Sequence, residues 1–419
     1  MTAVLPELDV CARDQSLITL DEACRRAALY VTPLDRREDI SIADALGRVL
    51  VGQVQARIAL PPFDQSAMDG YAFAASSIRG ISTELHVASR IAAGSPPPPL
   101  VAGEAARVFT GAPIPEGADT IVMQEHVQRR GSCVIIDGPI RPGSNLRRRG
   151  EDIAEGEALL EAGQRLDARH LAVLAAQGFS RIQVLARPRV AIVSTGDELR
   201  QPGEALGAAS IFDSNRPMLL ALARQAGLDA IDGGSVPDDA RAIAVRLSAL
   251  ADIADLVVTT GGASVGEADH SAAALAESGA SFETLRMALK PGKPAVVGRL
   301  KRAAYLGLPG NPVSALVSWL TVGNAMIARL CGRKPGRRTG TPMTIVSTFE
   351  RKPGRTEFVP ARIRTTDAGP RLEILGRGGS ARLKPLIQAD GLAEIAPSSG
   401  GLNPGDSVHF HPFQGGLLT

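Results

Sequence analysis

Cysteine is scarce in this chain of 419 residues. The four present, Cys11, Cys24, Cys133 and Cys331, show no CxxC spacing. That excludes a disulfide framework and a thiolate metal cluster, and it predicts a reducing, cytoplasmic setting. Aromatic residues make up 3% of the chain, too few for platforms on which nucleic-acid bases stack. Charge of one sign is also lacking: 46 Lys+Arg stand against 44 Asp+Glu. A formal net charge of +2 gives no field to hold nucleic acid or an acidic membrane. No long apolar run is uninterrupted. The most apolar stretch, 313–330, is broken by Ser314, Ser318, Thr321, Gly323 and Asn324 and follows an Asn-Pro helix start. It reads as a buried helix rather than a membrane span. The first residues, MTAVLPELDVCARDQSL, carry acids and no apolar core, so no signal peptide is expected. No Walker GxxxxGK[ST], GxGxxG or GxSxG motif occurs. The histidines have no zinc spacing with cysteine, and the His409-x-His411 pair falls on a predicted strand.

Lysine is the last shortage, and it is uneven. There are six, Lys290, Lys293, Lys301, Lys334, Lys352 and Lys384, and none precedes Lys290. Two of the six fall in Lys290-Pro-Gly-Lys293-Pro. Compositional bias toward arginine explains the shortage. The cluster is either chance or a place where a compact ammonium serves and a guanidinium does not.

What is present is 44% hydrophobic residues, with 44 glycines and 29 prolines, enough for a sizeable core divided by many turns. Length alone predicts two to four domains. Residues 14–55 read as helical, with Ser16 capping one helix through Leu20, Ala23 and Ala27, and Ser41 a second through Leu50. Residues 61–144 change to short β-prone runs at 85–87, 106–109, 120–123 and 133–136. A helix is expected again over 168–177, so the β-rich piece reads as an insertion into a discontinuous mixed domain, 14–60 with 145–186. From 187 to 332 strands at 190–194, 230–236, 255–260, 282–288, 295–298 and 304–307 alternate with helices at 215–225, 238–250, 269–277 and 311–330. That alternation predicts a mainly parallel sheet covered on both faces. Residues 333–342 read as a linker, and 341–419 as a small β-barrel or sandwich.

Ligands of open parallel sheets bind beyond the carboxyl ends of the strands. Three segments fall there: STGDE at 194–198, TTGGASVGEAD at 259–269 and GLPGNPVS at 307–314. Gly261 and Gly262, with the Ser264 hydroxyl and a following helix start, can form an anion cradle, although a plain turn uses glycine too. Glu198, Asp238, Asp239, Glu267 and Asp269 fall at the same edge. Helix capping accounts for some of them; a Mg²⁺ site beside phosphate accounts for the group. Lys290 and Lys293 follow the next strand and join that edge, a combination suited to phosphate or oxyanion chemistry. Upstream, PPFDQSAMDGYA at 61–72, TGAP at 110–113 and RRRGED at 147–152 are further candidates, the triple arginine being either a solvated face or an anion clamp.

Together PPFDQSAMDGYA, TGAPIPEGAD, RRRGED, STGDEL, FDSNR, SVPDDA, TTGGASVGEAD, KPGKP and GLPGNPVSA resemble, in order, the molybdopterin molybdenumtransferase family, that is, bacterial MoeA proteins and the carboxyl-terminal domain of gephyrin. The resemblance implies a multidomain α/β protein. It would have a three-layer α/β/α, MogA-like molybdopterin-binding domain, a β-rich inserted domain, an elongated mixed helical domain and a C-terminal β-barrel domain. It implies a homodimer with the site at the cleft between subunits. The implied reaction takes adenylylated molybdopterin and molybdate, with Mg²⁺ or Zn²⁺, and releases AMP. A molybdopterin adenylyltransferase and cofactor-accepting proteins are the implied partners. By motif match the functional polar residues are Asp69, Thr110, Asp152, Glu198, Asp238 and Asp269, with Lys290 and Lys293 as the basic element. Thr260, Gly261, Gly262, Ser264 and Gly266 match the pterin-phosphate cradle, with Asn311 and Ser314 nearby. Glu198 and Asp238 are expected to position metal or adenylate, Asp269 the pterin, and Lys290 an oxyanion. Asp69 and Thr110 are expected to close the cleft from the partner subunit. Arg286 stands where some members carry lysine. A gephyrin-like scaffold and an adenylyltransferase are the competing functions, and tungstate is not distinguished from molybdate.

Overall fold

A computed structural model describes residues 17–261, 270–333, 340–376 and 379–413. It divides into two compact units. One holds the described residues up to Glu38 together with those from Leu185 onward, and the other is Asp39–Val184.

The first unit is built on a six-stranded sheet. Its strands are β1 (Arg189–Thr195), β2 (Asp229–Val236), β3 (Leu256–Thr260), β4 (Ser281–Arg286), β5 (Pro294–Leu300) and β6 (Ala303–Leu308), in the order β2-β1-β3-β6-β5-β4. The first four in that order are parallel, and β5 and β4 add an antiparallel edge. Strands β3 and β6 are buried along their whole length, as strands covered on both faces must be. Ala191, Val193 and Val257 pack with Ile243 and Leu247 of α1 (Ala240–Ile253) and with Ala274 and Leu275 of α2 (His270–Glu277). The alternate residues Val190, Ile192 and Val258 are fully buried on the opposite face. Asp239 caps α1 by accepting the Ala242 N–H at 2.7 Å.

The helix Pro312–Leu330 starts with proline in its first turn and contains a π-turn at Trp319–Gly323. It is long and apolar enough to cross a membrane, but 89% of its most apolar window is buried inside the fold. The helix Leu20–Leu29 also belongs to this unit, and not with 145–186 as the sequence suggested. The chain around it pairs with the α/β region: the Ile18 N–H donates to the Arg286 carbonyl and the Leu34 N–H to that of Leu330. Its observed cap is Thr19; Ser16 lies outside the described residues.

The C-terminal part of this unit is a closed ring of strands. Thr356–Thr366 pairs with Gly391–Ile395, that with Ser407–Pro412, and that with Thr341–Thr344. Ile345 bridges to Leu372 of Gly369–Ile374, which pairs back to Thr356–Thr366. The ring encloses Ile345, Phe349, Val359, Leu372, Ala393, Val408 and Phe410. One further strand joins it from outside. Leu289–Lys290, between β4 and β5 in sequence, lies parallel to Thr356–Glu357.

The second unit contains the expected β-rich region, a six-stranded sheet that includes Gly70–Phe73, Ser82–Ile91, Glu104–Val108 and Thr120–Met123. Period-two alternation supplies two cores: Tyr71 and Phe73 enter one, Ala72, Val108 and Ile121 the other. The helix Ala168–Ala176 is capped by Asp167 in a capping box with His170. The second expected helix, through Leu50, does not form. Ser41 caps only a single turn, Ile42–Asp44. The chain beyond it is held by tertiary pairing instead, with the Leu50 N–H donating to the Gln164 carbonyl and the Val51 N–H to that of Gln183.

Candidate functional site

The turns after β1 and β6, with Gly261 at the end of β3, open onto one cavity of about 690 Å³. Glu198, Asp238, Gly261, Lys290, Lys293, Asn311 and Ser314, all singled out from sequence, line it. Each is placed by local structure. The Gly261 backbone has φ +101°, a conformation that favours glycine, and a Cβ there would meet the Thr195 carbonyl oxygen at 2.3 Å. Glycine therefore lets two strand ends close together at the cavity floor. Asp238 is fixed by a reciprocal pair: its N–H donates to Asp197 Oδ1 at 3.1 Å, and the Asp197 N–H donates to Asp238 Oδ2 at 3.4 Å. The Glu198 carboxylate folds back over Gly196, where Oε2 would lie 2.6 Å from an added Cβ. Thr260 is buried beside Gly261, and Gly262, Ser264, Gly266 and Asp269 lie outside the described residues.

Two features were missed in the sequence. Asn215, in the FDSNR segment at the start of the helix Asn215–Gln225, donates from Nδ2 to Thr260 Oγ1 at 2.8 Å and to the Gly310 carbonyl at 2.7 Å. It ties the β3 end to the GLPGN turn. Among the described residues its Oδ1 is buried without a hydrogen-bond partner, as is Thr195 Oγ1 on the cavity wall. An amide flanked by glycine- and proline-rich turns was the available signal. The second omission is the C-terminal contribution. Arg355, Glu357, Phe358 and Ser380 also line the cavity. Lys290 Nζ lies 2.9 Å from Glu357 Oε1. Nothing in the spacing of those two residues announces the pair, because it depends on the strand register between Leu289–Lys290 and Thr356–Glu357.

The remaining candidates are in the second unit. Asp69 Oδ1 accepts both the backbone N–H and the hydroxyl of Thr110, each at 2.8 Å. Those two bonds, with the Arg107 charge, hold its carboxyl below the usual carboxylate range. Asp152 is exposed, in a turn anchored by its N–H to the Leu60 carbonyl at 3.0 Å. The triple arginine forms neither a simple solvated face nor a single clamp. Arg148 pairs with Asp64 and Arg149 with Glu155. Burial raises the Asp64 pKa, yet the Arg149 N–H and the Arg148 guanidinium outweigh it and hold the carboxyl low.

Lysines and carboxylates line one cavity at the strand ends of this α/β protein, and residues 191–329 match the probable molybdopterin binding domain. Residues 18–178 match the MoeA N-terminal region (domain I and II), and 346–413 the MoeA C-terminal region (domain IV). The molybdopterin molybdenumtransferase of Haemophilus influenzae is 33% identical over 402 residues, covering 95% of this chain and 99% of that one. A Nostoc molybdopterin molybdenumtransferase is 38% identical over 73% of each chain. A crystal structure of the molybdopterin biosynthesis MoeA protein from Pyrococcus horikoshii is 29% identical with a TM-score of 0.78, covering 96% of this chain and 100% of that one. The chain belongs to the molybdopterin molybdenumtransferase (MoeA) family.

Proposed function

We propose that the chain inserts molybdenum into adenylylated molybdopterin, consuming molybdate and releasing AMP. The observation that carries this reading is the gathering of Lys290, Lys293, Glu198, Asp238 and the Gly261 turn on one cavity, in a chain related along its length to molybdopterin molybdenumtransferases. Both substrates are anions. The two ammonium groups and the N–H groups of the strand-end turns would bind oxyanion and phosphate, and would stabilise the charge that builds on the departing AMP. Asn215 would keep the cradle closed by bonding both of its sides.

Glu198 and Asp238 would hold a metal. Among the described residues no cluster of three His, Cys, Asp or Glu forms, and no histidine or cysteine lines the cavity. Two carboxylates with phosphate oxygens are a hard-oxygen set that fits Mg²⁺; Zn²⁺ prefers nitrogen and sulfur. Mg²⁺ would neutralise phosphate charge, while the protein groups orient the anhydride. The reading includes a cytoplasmic homodimer in which Asp69 and Thr110 of one subunit complete the cavity of the other. A molybdopterin adenylyltransferase would supply the substrate, and cofactor-accepting proteins would take the product.

The test is AMP release from adenylylated molybdopterin by purified protein, with and without molybdate. Molybdate-dependent release with active cofactor formed is expected. Pterin binding without AMP release under any oxyanion or metal would instead favour a scaffold. Formation of the adenylate from molybdopterin and ATP would move the chain one step earlier.

A further inference from the structure

Lys290 is held by a group outside its own domain. Its side chain is 43% exposed, while the Glu357 it pairs with is 2% exposed. Behind Glu357 stands Arg351, 1% exposed, with Nε 3.2 Å from Glu357 Oε2. Arg351 is itself locked, donating from Nη1 to the Ala396 carbonyl at 2.8 Å and from Nη2 to the Arg355 carbonyl. Arg351 and Glu357 already form a neutral buried pair. Adding Lys290 gives two cations and one carboxylate, a net +1, and the only strongly exposed member of the three is Lys290, on the cavity wall. A lysine on a free four-carbon stem samples many rotamers. One whose ammonium is fixed to a rigid, buried carboxylate presents its remaining donors in a set direction, and the surplus charge is balanced when an anion arrives.

Resting on the proposed reaction, we infer that Glu357 is a positioning residue for it. Backed by Arg351, it aims the Lys290 ammonium at the oxyanion substrate. The strand pairing of Lys290 with Glu357 supplies the geometry, so the C-terminal barrel orients a charge that the α/β domain carries.

The test compares Glu357→Gln, Lys290→Ala and the double variant in the AMP-release assay, alongside calorimetric titration of each protein with sodium molybdate alone. Glu357→Gln is expected to raise the KM for molybdate by about tenfold, the size of a lost charge-assisted hydrogen bond. The KM for adenylylated molybdopterin should stay within about twofold. In the Lys290→Ala background the Glu357 substitution should add nothing, because its effect passes through Lys290. A penalty of the same size in both backgrounds would mean that Glu357 serves the fold alone, and would overturn the inference. Should Glu357→Gln fail to fold, Glu357→Asp keeps the charge and retracts it by one methylene. A smaller rise in molybdate KM is then expected, and an unchanged KM refutes the role. The titration separates the two levels. If wild type releases no AMP yet binds molybdate in a way that Glu357→Gln weakens, the reaction is wrong, and what stands is that Glu357 aims Lys290 at a bound oxyanion. If wild type turns over normally and Glu357→Gln leaves molybdate KM and affinity unchanged, the reaction stands and the positioning role falls.

Discussion

Asp69 and Thr110 are joined by two hydrogen bonds that end on the same oxygen: Asp69 Oδ1 takes the Thr110 N–H and the Thr110 hydroxyl at 2.8 Å each. The arrangement keeps the carboxylate ionised and fixes its direction at the amino end of Gly70–Phe73. Replacing Asp69 with alanine should abolish molybdate-dependent AMP release while leaving the melting temperature close to wild type, since the group is not part of either core. Turnover at the wild-type rate would remove Asp69 from the site. Thr110→Ala deletes the hydroxyl bond and keeps the backbone one, so the Asp69 carboxyl should titrate higher than in wild type by NMR.

Gly261→Ala places a methyl against the Thr195 carbonyl at a positive φ. We expect a loss of about 1–3 kcal/mol of stability from strain at that turn, read by denaturant unfolding. The KM for adenylylated molybdopterin should rise as well. A variant as stable and as active as wild type would show that the turn has room the structure denies.

Asn215→Ala removes the two bonds by which Asn215 bridges Thr260 and the GLPGN turn, leaving the Thr260 hydroxyl only its longer bond to the Pro309 carbonyl at 3.4 Å. The Thr260 hydroxyl and the Gly310 carbonyl lose their donor, at a cost of about 1–3 kcal/mol. Binding of the pterin substrate should weaken more than binding of molybdate. The opposite order in direct titrations would place Asn215 on the oxyanion side of the cavity.

Acid stability should depend on Asp167. Its carboxyl is held down at about 2, first by the Arg169 side chain and then by the N–H groups of Arg169 and His170. The folded value lies below the ordinary 3.8, so the contribution is fully present above about pH 4 and is lost as pH falls through about 2. Asp167→Asn should therefore flatten the fall of the melting temperature across that window. An unchanged slope would mean that other carboxylates carry the acid transition.

The α/β domain was legible because its central strands β1, β3 and β6 are continuous buried apolar runs that alternate with helical patterns. All six strand positions and four helices could be placed from alternation alone, with boundary shifts such as 238–250 becoming Ala240–Ile253. The strand-end turns followed from that placement, and with them Glu198, Gly261, Lys290 and Asn311. The second N-terminal helix was misread because Ile42, Ala45 and Leu50 repeat at a helical spacing. Pairing with the chain around Gln164 and Gln183 satisfies that backbone better than a short isolated helix would. Glu357 was invisible, and Asn215 was present only as a letter of the FDSNR motif with no role, for a different reason. Their importance lies in which distant group they face, and one-dimensional patterns carry periodicity but not register.

The short strand Leu289–Lys290 has a consequence for the order of events during synthesis. The lysine-bearing loop is made while its sheet partner, Thr356–Glu357, has yet to be translated. When the α/β domain first emerges, the Lys290 edge has no neighbour and the cavity lacks the wall formed by Phe358, Val359 and Pro360. The cavity is therefore complete only once the C-terminal barrel has folded against a loop made well before it.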